Sequence, residues 1–210
     1  MDTVSRKSLV ENCQTGDILL YNSKYTIGRL IEYFTKSKFS HISVILRDPI
    51  YIDPSLKGLY VIESGSEKIK DAMSGKKVIG VQVIPLNYVL DQYDGGYIGN
   101  LYYRKLDCKR DDTFLNKIKE IVRATDTKPY DLNPIDWIKA AFDIEIGDCQ
   151  KDNTFWCSAL VSYIYIKLGF LPEKLPWTII APKKFSYYEE DCLKFKDCDV
   201  EKEKLVVYTN

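Results

Sequence analysis

One imidazole is all that this chain possesses: His41 is the single histidine in 210 residues. So little histidine leaves few routes to acid–base chemistry near neutral pH, where no other unperturbed side chain changes charge. Net charge is missing as well. Lys+Arg and Asp+Glu number 30 each, so no overall field draws in nucleic acid or an anionic membrane. Lysines crowd locally at Lys117–Lys119, Lys183-Lys184 and Lys194–Lys204, where they read as solvated helix faces or as local basic patches. No stretch approaches the roughly 18 consecutive apolar residues of a membrane span. The start, Met1-Asp2-Thr3-Val4-Ser5-Arg6-Lys7-Ser8, lacks the apolar core of a signal peptide.

Cysteine is present without a pattern. Cys13, Cys108, Cys149, Cys157, Cys192 and Cys198 are scattered, with neither a CxxC pair nor the regular spacing of a disulfide scaffold. The expectation is reduced thiols in a cytosol-like compartment. With the one histidine far from the densest cysteine group, no structural zinc, and no other metal or organic cofactor, is expected. Nucleic acid is not an expected partner. A transmembrane segment is not expected either, although peripheral membrane contact stays open.

What is present suits a globular domain. A hydrophobic share of 45% beside 29% charge excludes a disordered chain, and the length fits a single domain over 1–210. Gly16-Asp17 turns the chain into a short strand, Ile18-Leu19-Leu20-Tyr21. Ile27, Leu30, Ile31 and Phe34 recur at helical spacing over 26–36. Strands are expected at His41–Leu46, Leu59–Ser64, Val78–Ile84, Ile98–Tyr103 and Lys204–Tyr208. Asp112 or Thr113 can cap a helix that turns Phe114, Ile118, Ile121 and Val122 inward, and Asn133-Pro134 opens another. Cys157–Leu168 reads as a helix closed by Gly169, and a further helical stretch is expected from Pro182 to about Lys194. Strands adjacent in sequence and segregated helices indicate an α+β fold with an antiparallel sheet.

Two positions combine into chemistry. A thiol in the first turn of a helix lies near unpaired N–H groups and the positive end of the dipole. With an imidazolium beside it, such a thiol can drop from ~8.5 to roughly 3.5–7.5, and the same N–H groups can hold an oxyanion. Cys157 has that placement, inside Phe155-Trp156-Cys157-Ser158-Ala159-Leu160. It would equally serve as a small buried hydrophobe. Cys149 is a weaker candidate. His41, in Ser40-His41-Ile42-Ser43-Val44, is either a hydrogen-bonded structural residue or the base, its strand face shared with Ser43 and Ile45. Glu63, in an apolar strand, needs a partner to offset its burial. Either His41 or a basic side chain would provide one, and the first pairing would orient the imidazole.

Five segments then occur in a recognisable order: Gly16-Asp17-Ile18-Leu19-Leu20, Ser40-His41-Ile42-Ser43-Val44, Val61-Ile62-Glu63-Ser64, Lys128-Pro129-Tyr130-Asp131 and Trp156-Cys157-Ser158-Ala159-Leu160-Val161. Over about 14–185 the chain resembles the circularly permuted branch of the NlpC-like papain-fold superfamily, in which the histidine precedes the cysteine. It is most similar to the YiiX-type bacterial proteins and their relatives in poxviruses and other large DNA viruses. The resemblance implies a papain-like core with a small antiparallel sheet packed against the cysteine helix. It casts Cys157 as nucleophile, His41 as base and Glu63 as the residue orienting it. Tyr130 would shape the cleft, with Asp17 and Trp156 as further cleft or substrate-binding candidates, although Asp17 suits a turn-organising role better. The polar stretch 143–154 reads as a lid or partner-contacting loop. The charged extension over about 191–210 has no part in the match.

The resemblance implies a thiol hydrolase of peptidase, amidase or esterase type working through an acyl-enzyme. A lipid acyltransferase or acylhydrolase with the same triad is an alternative, for which Tyr33, Phe34, Trp177, Ile179 and Ile180 could form an apolar groove. So is a non-catalytic, virion-associated structural protein. The expected substrate is an amide or ester, and the expected location a reducing host cytoplasm, with packaging in a virion open.

Overall fold

The structure, a computed structural model, describes residues 1–23, 38–65, 69–130 and 153–208. The helices expected over 26–36 and from Asn133 lie outside the described residues. So do Cys149, Tyr33, Phe34 and nearly all of the 143–154 stretch.

Seven strands form the main sheet: β1 (Thr3–Ser5), β2 (Ile18–Ser23), β3 (His41–Arg47), β4 (Leu59–Gly65), β5 (Gly80–Pro85), β6 (Gly99–Arg104) and β9 (Lys204–Val207). Their order is β1-β9-β6-β2-β3-β4-β5, antiparallel throughout except for the parallel β1–β9 pair. A separate ribbon joins β7 (Leu106–Asp107) to β8 (Asp199–Val200). Four helices are present among the described residues: α1 (Arg6–Asn12), α2 (Leu86–Tyr93), α3 (Asp112–Thr125) and α4 (Cys157–Leu168).

Helices cover both faces of the sheet, which explains why apolar residues on both faces of its central strands are buried. Ile18, Leu20, Ile42, Val44, Ile62 and Val83 face α3 and α4 in one core. The alternate residues Leu19, Tyr21, Ile45, Val61 and Ile84 meet Leu9 of α1 and Leu86, Val89 and Leu90 of α2 in a second. Apolar almost all round, α4 is buried along nearly its whole length. Gly169 ends it at φ 91°, a left-handed turn that glycine adopts without a Cβ penalty.

The α+β class and the antiparallel sheet agree with the sequence expectation, but the sheet is large rather than small. The charged extension carries the last strand, near where the sequence places one. Strand β9 is inserted between β1 and β6, and Arg104 of β6 holds the extension by donating to the carbonyls of Glu201, Val200 and Phe185. Glu203, itself buried, accepts from the Ser186 hydroxyl and the Tyr187 amide. Element boundaries differ as well. Asp111 is the side-chain cap of α3, accepting from the Phe114 amide; β5 starts at Gly80; and the stretch from Pro182 holds only a 3-10 turn over Pro182–Phe185. Short α1 and α2 carry too few residues to show a period, so packing on the sheet decides them.

Candidate active site

His41 is the first residue of β3, so its ring stands at one end of the sheet. The neighbouring strands supply what surrounds it. Tyr21 pairs with it across β2 and meets its ring edge-on with centroids 4.9 Å apart, while the Tyr21 hydroxyl is tied to Ser43 Oγ at 2.7 Å. On the other side, Glu63 of β4 brings Oε2 to 2.7 Å from His41 Nε2. Its second oxygen accepts from Gln82 Nε2 at 2.9 Å, and Gln82 is the directly opposite residue on β5. Gly65 matters here through the side chain it lacks. A Cβ on it would approach Glu63 Oε1 to 2.8 Å and Gln82 Nε2 to 3.2 Å, so glycine leaves room for the carboxylate–amide pair.

Cys157 arrives from the other core. Helix α4 packs on the face bearing Ile42, Val44 and Ile62, whereas strand alternation puts His41 on the opposite face. Ile45 and Val61, which share that opposite face, are core, so the polar cleft face expected along β3 is confined to the His41 end. The chain leading to α4 crosses this end of the sheet. Gly80 bridges Pro129, Tyr130 bridges Phe155, and Ser64 Oγ donates to the Phe155 carbonyl at 2.5 Å. The result brings the Cys157 thiol near enough to His41 to act on the ring through its charge and as a hydrogen-bonding partner. An imidazole thus stands between a thiol and a carboxylate.

Burial by itself pushes His41 down, because it disfavours the charged ring. The Glu63 carboxylate opposes this, as do the charge and hydrogen bond of Cys157, and together they lift the imidazole to about 10. The protonated ring is therefore favoured, as a thiolate–imidazolium pair requires. Access is unequal: the His41 side chain is 24% exposed, whereas Cys157 has no exposed surface.

The remaining sequence candidates are placed as follows. Asp17 lies at the far end of β2 from Tyr21 and is fully buried. It accepts from Tyr103 Oη, the amides of Gln14 and Leu106, and Arg110 Nη2, although burial still raises its carboxyl. It ties β2, β6 and the segment after β7 together and is no part of the cleft. Trp156 is core, its Nε1 donating to the Thr178 carbonyl at 2.7 Å. Tyr130 stands in the segment that positions Phe155, its amide donating to the Ile79 carbonyl. Trp177, Ile179 and Ile180, expected to line an acyl groove, are buried, with Trp177 stacked on Phe155. Gln82 and Tyr21 belong to the site although sequence reasoning does not single them out. Glutamine in an apolar Val81-Gln82-Val83 strand carries the same buried-polar signal as Glu63, but only strand register shows the two to be neighbours.

No protein-family model matches the chain, and no curated protein matches it. Among solved structures it is similar to the metalloprotein yiiX from Escherichia coli O157:H7, at 18% sequence identity and a TM-score of 0.51, over 94% of this chain and 98% of that one. At that identity the likeness concerns the fold, and the protein has a YiiX-like α+β fold.

Proposed function

We propose that the protein is a cysteine-dependent hydrolase or acyltransferase acting on an amide or ester. The observation that carries the reading is the imidazole of His41 held between Cys157 and Glu63. The Cys157 thiolate attacks the carbonyl carbon, and amides at the start of α4 hold the resulting oxyanion. His41 gives its proton to the leaving group, then takes one from water or from an acceptor alcohol or amine as that attacks the acyl-enzyme. Acid–base help of this kind is worth ~10²–10⁴-fold. Glu63 keeps the ring oriented and charged. We read the fold as the permuted NlpC-like papain type, because the histidine strand precedes the cysteine helix and a third polar residue lies between them. Kinship with poxvirus and giant-virus proteins, and work in a reducing cytoplasm, belong to the same proposal.

The metalloprotein description of yiiX raises a metal site as a question for this chain. Among the described residues no group of three or more metal-competent side chains is gathered, and the neighbours of the His41 ring, Glu63 and Cys157, serve in this proposal as its catalytic partners. No step is routed through a metal.

The complete burial of Cys157 favours a second reading, a packed thiol in a non-catalytic protein. Iodoacetamide labelling over a pH series, with mapping of the modified cysteine, separates the two. Selective labelling of Cys157 well below pH 8, lost in His41→Ala, supports the enzyme. Labelling no faster than at the other cysteines overturns it. A lipid-like acyl probe compared with a peptide-like one then divides the substrate classes.

A further inference from the structure

The β7–β8 ribbon holds a second pair of thiols with no role in the proposed chemistry. Leu106 pairs with Val200 and Asp107 with Asp199, so the next residues in this antiparallel register are Cys108 and Cys198. The Glu201 amide donates to the Lys105 carbonyl at 2.8 Å, which makes Lys105–Glu201 a hydrogen-bonded pair. Pairs alternate along an antiparallel ladder, so Leu106–Val200 is non-bonded and Asp107–Asp199 bonded; the ladder ends there, and Cys108 and Cys198 directly adjoin it, where the next, non-bonded pair would fall. In that position opposed Cα atoms are closest, at about 4.5 Å, inside the ~4.4–6.8 Å that a disulfide spans. Residues directly opposite also point to the same side of the ribbon. Both thiols are free and half-buried, and both lie against the first core.

We propose that Cys108 and Cys198 are a disulfide site, at which a low-molecular-weight disulfide oxidant covalently closes the C-terminal extension onto the segment that follows β6. The order of attack follows from the surroundings. Burial raises the Cys108 thiol, but the Arg110 guanidinium opposes the rise. Cys198 is pushed up to about 12 by burial and by the charges of Cys108, Asp199 and Asp197. Cys108 therefore supplies the first thiolate. It attacks one sulfur of the oxidant RS–SR, forming a mixed disulfide and releasing RS⁻. The Cys198 thiolate then attacks the Cys108 sulfur and expels the second RS⁻. Two protein thiols are oxidised, one RS–SR is reduced to two RSH, and the two protons lost by the protein are those the RSH molecules gain.

The bond would fasten the ribbon that leads into β9, the strand inserted between β1 and β6, and would close a covalent loop containing α3 and α4. Such a loop stabilises the native state against the unfolded chain. The reluctance of both thiols to ionise makes the bond slow to form and also slow to reduce, since poorly acidic thiols are poor leaving groups.

Oxidised glutathione is the probe. The full chain is incubated with it, quenched with N-ethylmaleimide and mapped without reduction, in wild type and in Cys157→Ser so that the active-site thiol does not interfere. The expected result is a linked Cys108–Cys198 peptide that dithiothreitol removes, with two free thiols lost and a melting temperature raised by roughly 5–10 °C. In Cys198→Ser the same treatment leaves the melting temperature unchanged. Recovery of Cys108 and Cys198 as separate maleimide or glutathione adducts overturns the proposal, as does linkage of either to another cysteine, or an equal rise in Cys198→Ser.

Discussion

Glu63 and Gln82 face each other across β4 and β5, and the Gln82 amide donates to the carboxylate oxygen that His41 does not use, at 2.9 Å. One oxygen of Glu63 is committed to the ring and the other to a neutral donor, so the carboxylate has little freedom to rotate. Replacing Gln82 by Leu keeps the volume and removes the donor. Leaving one carboxylate oxygen without its hydrogen bond costs about 1–3 kcal/mol. The expected outcome is a folded protein whose Cys157 labels more slowly at low pH than wild type. In Gln82→Glu the rate should follow wild type while the new carboxyl is protonated and can donate, then fall as it ionises beside Glu63. Stopped labelling with mass-spectrometric mapping across pH reads both. Unchanged profiles would remove Gln82 from the site.

Gly65 offers a steric route to the same group. A methyl in Gly65→Ala meets Glu63 Oε1 at 2.8 Å, so the carboxylate must swing away from Gln82 or from His41. We expect slower Cys157 labelling with far-ultraviolet circular dichroism unchanged. A rate equal to wild type would mean that the carboxylate position is unimportant.

The titration of His41 sets a pH dependence of stability. Its folded value, about 10, lies above the ~6.5 of an unfolded chain. The protonated ring therefore stabilises the fold fully below pH ~6.5, and this contribution declines from there and is lost as pH rises through about 10. Urea midpoints between pH 6 and 10 should fall more steeply for wild type than for His41→Ala, which has nothing to lose. Parallel curves would argue against a raised imidazole.

Asp17 separates architecture from chemistry. Asp17→Ala strips the carboxylate partner from Arg110 and from the Tyr103 hydroxyl in a buried place, a change worth ~3–5 kcal/mol. Thermal unfolding should register the loss, while the pH profile of Cys157 labelling in the remaining folded protein stays as in wild type. A shifted profile would return Asp17 to the site.

The extension gives a last test. Deleting the residues after Cys198 removes β9 and takes from Arg104 the carbonyls of Val200 and Glu201. The truncated chain should lose cooperative unfolding, measured by urea titration, and a cooperative transition near that of wild type would show the extension to be dispensable.

Much of the site is legible in the amino-acid order. His41 and Cys157 stand out by rarity and by helix position, and Glu63 by the cost of burying a carboxylate among Val61 and Ile62. Those are local signals. Gln82 carries the same signal but cannot be paired from it, because which strands are neighbours depends on register. Asp17 is hard to place for the same reason: the Gly16-Asp17 turn is visible, whereas the four donors that converge on it come from distant segments. Trp177, Ile179 and Ile180 look like groove residues because an apolar run does not say whether protein or ligand covers it.

The amino-acid pattern alone determined the α+β class, the central strands, the cysteine helix and its glycine stop, since each follows from periodicity and backbone preference within a few residues. Tertiary structure decided the rest. It placed β9 inside the sheet, hid Cys157 from solvent, set Cys108 and Cys198 at the same end of the β7–β8 ribbon, and carried Cys157 across the sheet end to His41. Each of these joins residues far apart in the chain, and such contacts are selected by packing and register over the whole fold.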